Sequence, residues 1–185
     1  MDKEYSMLRE EILLSMQTIK DYNNLLYAST GALLAFAFSA SSEFLFLLPF
    51  AVIFPLYFLI KREMMQVVRI GAYMSIFLEE KSGIHWERRL ILYDAMFSKN
   101  KHQHISLNTY TGLSFLCIFL SAMHTDYAVF DMRCKILLIT QALLFIISIT
   151  LFIIKIPNYT EIKKKYLSRW IKVKISELTE NNIKI

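Results

Sequence analysis

Residues 44–80, FLFLLPFAVIFPLYFLIKREMMQVVRIGAYMSIFLEE, decide the fold. The part from 44 to 60 carries no charge and falls in the range of roughly 17 to 25 residues that a helix needs to cross a bilayer. Lys61-Arg62-Glu63 then marks a water interface, but the chain runs on with no strong breaker except Gly71. A helix continued from Phe44 to about Glu80 would be roughly 55 Å long, so some 25 Å of it would project into the cytoplasm. That stalk is too apolar to stand alone. Met64, Val67, Val68, Ile70, Tyr73, Met74, Phe77 and Leu78 need cover, from a following helix at 84–97 or from neighbouring subunits. Ser82-Gly83 is the expected turn between the two helices, with Gly83 a plausible C-cap.

Composition agrees with a membrane body. The 185 residues are 55% hydrophobic and only 20% charged, with a mean hydropathy of +0.39, and a single soluble core does not absorb such an excess. Aromatic and aliphatic content excludes disorder. Cys117 and Cys134 are too few for a disulfide framework, and Cys117 lies in an apolar run as a small hydrophobe. Uncharged windows occur at 22–42, 44–60, 105–123 and 136–154, which predicts four spans. Ser41-Ser42-Glu43 makes the first pair a tight helical hairpin and residues 124–135 turn the second.

Charge orients the spans. Of 21 Lys and Arg, three lie in residues 1–24, eight in 61–101 and eight in 155–185, against only Arg133 and Lys135 in the opposite loops. The positive-inside rule therefore puts both termini and the middle segment in the cytoplasm. A cleaved signal peptide is not expected, because Asp2, Glu4, Glu10, Glu11 and Asp21 precede the first apolar run. The resulting expectation is an all-α, four-helix transmembrane protein with both termini inside. Its parts are an amphipathic helix at 1–21, hairpins at 22–60 and 105–154, a helical stalk at 61–104 and a basic helix at 155–185.

The cytoplasmic segments are patterned. Tyr5, Leu8, Ile12, Ser15, Ile19 and Tyr22 alternate at spacings of three and four, a narrow stripe that faces a partner helix. Past Pro157, the apolar set Tyr159, Ile162, Tyr166, Trp170 and Val173 repeats at helical spacing among Lys163, Lys164, Lys165, Arg169, Lys172 and Lys174. From 155 to 185 there are eight basic and three acidic residues. Such a face suits anionic lipid head groups, a nucleic acid or nucleotide, or an acidic partner surface. For a single-stranded nucleic acid, Lys163, Lys164, Lys165, Arg169, Lys172 and Lys174 would contact phosphates, with Tyr166 and Trp170 available for stacking.

No catalytic signature emerges, and an enzyme is not expected. HExxH, phosphate-cradling glycine loops and G-x-S-x-G are absent from the sequence. His102 and His104 are too few for a zinc site, and His85-Trp86-Glu87 suits packing and a salt bridge better than a general base. No cofactor is expected. The charge-free spans argue against an ion-coupled transporter. What they hold is small and hydroxyl-bearing. Ala28/Ala32, Gly31/Ala35 and Ala35/Ser39 are small-xxx-small pairs that let helix backbones approach, either within one subunit or across an oligomer interface or pore wall. Thr140, Gln141, Ser148 and Thr150 are the polar candidates for a wet surface on the fourth span.

Two stretches carry a resemblance. One is Glu4-Tyr5, Leu8-Arg9, Glu11 and Ile12, ahead of a span; the other is Arg69, Gly71, Tyr73, Phe77-Leu78-Glu79 and, after a short turn, Trp86-Glu87 with Arg89. Together they touch about 35 residues on the cytoplasmic side. They resemble the small multi-pass transmembrane effectors of prokaryotic anti-phage defence, in particular the transmembrane effector of the Hailong system. The resemblance implies a homo-oligomeric ion channel in the bacterial inner membrane. It also implies a nucleic-acid or nucleotide signal from a partner nucleotidyltransferase that holds the channel shut or opens it, with membrane depolarisation and growth arrest as the result. Arg69, Glu79, Trp86, Glu87 and Arg89 are expected to hold the stalk together, Trp86 as an anchor and the charged residues as pairs. The competing reading is a non-conducting membrane scaffold or accessory subunit that recruits a soluble partner through its basic helix.

Overall fold

A computed structural model describes residues 2–40, 42–78, 89, 101–125, 131–154 and 159–183. Among them there is no strand. The α-helices are α1 (Asp2–Ala40), α2 (Phe50–Phe77), α3 (Lys101–His124), α4 (Met132–Ile149) and α5 (Tyr159–Ile183), with a 3-10 turn at Leu45–Leu47 and a π-helical turn at Thr150–Ile154. Two helices, Leu45–Phe77 and Met132–Phe152, are long and apolar enough to cross a membrane, and Thr109–His124 is apolar but shorter. The uncharged part of α1 is diluted by Asn23, Asn24, Ser29, Thr30 and Ser39.

The helix expected from residue 44 starts instead at Phe50. Pro49 is the reason. It has no amide hydrogen to continue a ladder from Leu45–Leu47, but its carbonyl accepts from the amides of Val52 and Ile53, both at 2.9 Å, and so opens α2. Pro55 lies within α2 without ending it.

The chain divides into two compact units, one of Met1–Ile19, Lys61–Lys101 and Pro157–Ile185, the other of Lys20–Ile60 and His102–Ile156. Helices α1 and α2 each contribute to both.

In the first unit, the opening half of α1 runs antiparallel to the end of α2. Gln66 Nε2 donates to Glu11 Oε1 at 2.8 Å, and seven residues further along α2 the Tyr73 hydroxyl donates to Glu4 Oε1 at 2.8 Å. Alongside these bonds Tyr5, Leu8 and Ile12 pack on Ile70, Met74 and Leu78. The stripe read from the sequence is thus the packed face of α1. It supplies cover for the stalk, for which the sequence offers a helix at 84–97 or neighbouring subunits; of 84–97 only Arg89 is among the described residues, and Ser82 and Gly83 lie outside them. Helix α5 adds a third side. Trp170 Nε1 donates to the Arg69 carbonyl at 3.3 Å, and Lys174 Nζ donates to the Ile76 carbonyl at 3.2 Å. Ile76 stands in the last turn of α2, where carbonyls have no intrahelical partner, so Lys174 serves as a cap.

In the second unit, α3 and α4 form an antiparallel pair. Gln141 Nε2 donates to Ser121 Oγ at 2.9 Å, and Phe115 meets Phe145 edge to face at 5.2 Å. Asp131 caps α4 by accepting from the Met132 amide. The inner surface of α2 brings Tyr57 against Tyr110 and Phe152, with centroids 5.5 and 4.8 Å away. The Tyr57 hydroxyl donates at 3.1 Å to the carbonyl of Leu151, inside the π-helical turn.

Candidate functional surfaces

The small residues of α1 are the first candidate. Leu26, Thr30 and Ala37 are its buried positions in the second unit. Ala28, Gly31, Ala32, Ala35 and Ser39 are exposed. A methyl group placed on Gly31 would meet nothing within 4 Å. Among the described residues nothing packs closely on this face.

The polar candidates on α4 separate. Gln141 is only 6% exposed and its amide is bonded to Ser121, so it is not a residue of a wet surface but a pin between two helices. The reading from sequence treated a polar side chain in a span as a lining group, and the actual partner was a hydroxyl twenty positions away across the turn. Ser121 also donates to the Glu43 carbonyl at 2.8 Å, joining α3 to the loop between α1 and α2. Thr140 is half-buried and returns its hydroxyl to the Ile136 carbonyl at 2.9 Å, as Thr150 does to Ile146 at 2.8 Å. Among the described residues Ser148 is buried with no hydrogen-bond partner, like Thr30, Tyr110 and Ser114.

The basic helix α5 also splits. Lys163 is 5% exposed and has moved from the expected phosphate face into the packed side of the helix. Trp170 is edge to face with Tyr73 at 5.2 Å and Phe77 at 6.1 Å, so its ring is engaged by the stalk and not free to stack on a base. Lys174 is the cap described above. Lys164, Lys165, Arg169 and Lys172 remain exposed, and the Arg169 guanidinium sits 5.9 Å from the centre of the half-buried Tyr166 ring. Beside these cations a second apolar edge, Ile171, Ile175 and Leu178, is exposed. The sequence carried its signal, a spacing of four and three, but the stripe through Tyr166 and Trp170 masked it.

The first unit also contains a groove of about 340 Å³ lined by Glu4, Leu8, Glu11, Arg69, Tyr73 and Trp170. Burial, and then the hydrogen-bonded Glu4 carboxylate, raise the Tyr73 hydroxyl above its ordinary value, so it remains a protonated donor at neutral pH. Of the stalk residues singled out in sequence, Arg69 is exposed with its carbonyl engaged by Trp170, and Arg89 is exposed. Glu79, Trp86 and Glu87 lie outside the described residues, as do the side chains of His102 and His104. Among the described residues no group of three or more His, Cys, Asp or Glu is placed to hold a metal ion.

No protein-family model, curated protein or solved structure matches this chain.

Proposed function

We propose that the chain is a four-span membrane effector with both termini in the cytoplasm, assembling into an oligomeric ion channel that acts by depolarisation in anti-phage defence. The observation that carries this reading is the exposed small-residue face of α1. A helix face of Ala28, Gly31, Ala32, Ala35 and Ser39 with open space before it is suited to close helix contact between copies. Support for the topology comes from the two long apolar helices and from the 21 basic residues, of which only Arg133 and Lys135 fall in the outer loops. The gating signal, a nucleic acid or nucleotide made by a partner nucleotidyltransferase, would meet Lys164, Lys165, Arg169 and Lys172.

The test is flux from liposomes containing the purified full chain, alongside its mass in detergent. The wild type should be an oligomer that collapses an imposed ion gradient, and Gly31→Leu and Ala35→Leu should lose both properties. Because the subunit itself has room at Gly31, a defect there reports contact between copies and not misfolding. An oligomeric wild type that passes no ions would overturn the channel and leave a scaffold. For the signal, four phosphate contacts on a single strand predict a slope of log affinity against log salt of about −3.

A further inference from the structure

We infer that the buried hydroxyls of Thr30, Tyr110, Ser114 and Ser148 form one internal site in the second unit, that this site takes up water, and that the water carries protons through each subunit. This rests on the channel reading above and names its ion and the place where that ion crosses. The inward face of α3 is a polar seam. Among the described residues its buried positions are Tyr110, Ser114, Cys117 and Ser121, continued by Thr125 just past the helix, and none of them is aliphatic. Their spacings of four, three, four and four set them in one line. Helix α4 answers this seam in register. Gln141 bonds to Ser121, and seven residues further in along each of these antiparallel helices stand Ser148 and Ser114. Four residues beyond those, the rings of Phe152 and Tyr110 are 5.8 Å apart. The two serines, bracketed by these contacts, share one level. On α1, Phe38 meets His124 at 5.6 Å and Tyr27 lies within electrostatic reach of Tyr110. Thr30, three residues after Tyr27, therefore stands at the level of Ser114, four residues after Tyr110.

Burial and chemistry choose the occupant. Thr30, Tyr110, Ser114 and Ser148 are 2, 2, 0 and 3% exposed, and none of their hydroxyls has a hydrogen-bond partner among the described residues. Buried polar groups are as a rule bonded, and a buried water asks for about two to four polar partners, which this group of four supplies. An alkali ion asks for more. It exchanges its hydration shell for a ring of carbonyls or of charged side chains, and among the described residues of this unit no carboxylate is buried. A hydroxyl, by contrast, both donates and accepts. It can take a proton on a lone pair from water on one side and release its own to water on the other, which leaves the number of O–H bonds unchanged, and rotation about its C–O bond resets it. Polar groups also stand beyond the site in both directions. Outward, Ser121 donates to the Glu43 carbonyl in the loop between α1 and α2; inward, the Tyr57 hydroxyl beside Tyr110 donates to the Leu151 carbonyl.

The test uses the full chain in liposomes loaded with potassium and a pH-sensitive dye. With valinomycin setting the voltage, the wild type should acidify the lumen. With a protonophore in place of valinomycin it should not, because acidification then requires potassium to leave through the protein. Ser114→Ala with Ser148→Ala should lower the proton flux at least tenfold, with the mass in detergent unchanged and the thermal midpoint no lower than that of the wild type, since neither hydroxyl holds the fold together. Water entry has its own readout. Ser114→Cys, with Cys117→Ala and Cys134→Ala, should react with a small methanethiosulfonate reagent in the folded protein. An unreactive Ser114→Cys protein refutes the internal water site whatever the flux. A wild type that passes potassium but no protons keeps the channel and overturns the proton path, whereas one that passes neither removes both. Wild-type proton flux in the double alanine variant places the path elsewhere and overturns the inference.

Discussion

Ser121 and Ser114 stand on one face of α3, seven residues apart and both wholly buried, yet they are opposites. Ser121 uses its proton on the Glu43 carbonyl and accepts from Gln141, whereas among the described residues Ser114 has no partner, and neither does Ser148 on α4. The aromatic pocket repeats the contrast, with Tyr57 donating to Leu151 while the Tyr110 hydroxyl stays unbonded. A buried hydroxyl in an apolar unit therefore has no fixed worth. It stabilises only where a second helix or a loop carbonyl meets it, and elsewhere its desolvation is uncompensated.

Substitutions can break or sharpen that contrast. Ser121→Ala should have the largest effect, about 2 kcal/mol, because it strands both the Glu43 carbonyl and the Gln141 amide. Unfolding of the solubilised protein by denaturing detergent would measure it. Gln141→Leu should cost less, about 1 kcal/mol, since Ser121 keeps its bond to Glu43 and only an acceptor lone pair goes unused. For Tyr57→Phe we expect a loss of about 0.5–1 kcal/mol, read as a lower thermal midpoint, because one carbonyl in the π-helical turn loses its donor. Ser114→Ala, Ser148→Ala and Tyr110→Phe should be neutral or stabilising, within about 0.5 kcal/mol of wild type, since each removes a polar atom that bonds to nothing. A Ser114→Ala loss equal to that of Ser121→Ala would erase the distinction.

The legible parts of this molecule were those governed by local periodicity. The helices and the α1 stripe follow from spacings of three and four, and Tyr5, Leu8 and Ile12 lie against the stalk as that stripe requires. What periodicity left open was the identity of partners across long sequence distances. Helix α5 has two apolar edges, and which one faces inward depends on Tyr73 and Phe77 receiving Trp170, about a hundred residues away. That choice buried Lys163 and engaged Lys174, two cations that stand at i−7 and i+4 from Trp170 and that their charge alone assigns to the outside. Gln141 was misplaced for the same reason, since its environment is set by Ser121 and not by its own span. The start of α2 slipped by several residues because Pro49 outweighed hydropathy.

The double bond of Ser121 also has a consequence for the order in which the chain can mature. Translation delivers the first hairpin, and with it the Glu43 carbonyl, some eighty residues before the ribosome reaches Ser121. When α3 emerges, an acceptor is already waiting for its hydroxyl, and Gln141 arrives last to complete the set. A circular permutant that synthesised the second hairpin first would have to bring α3 and α4 together with that hydroxyl still unspent.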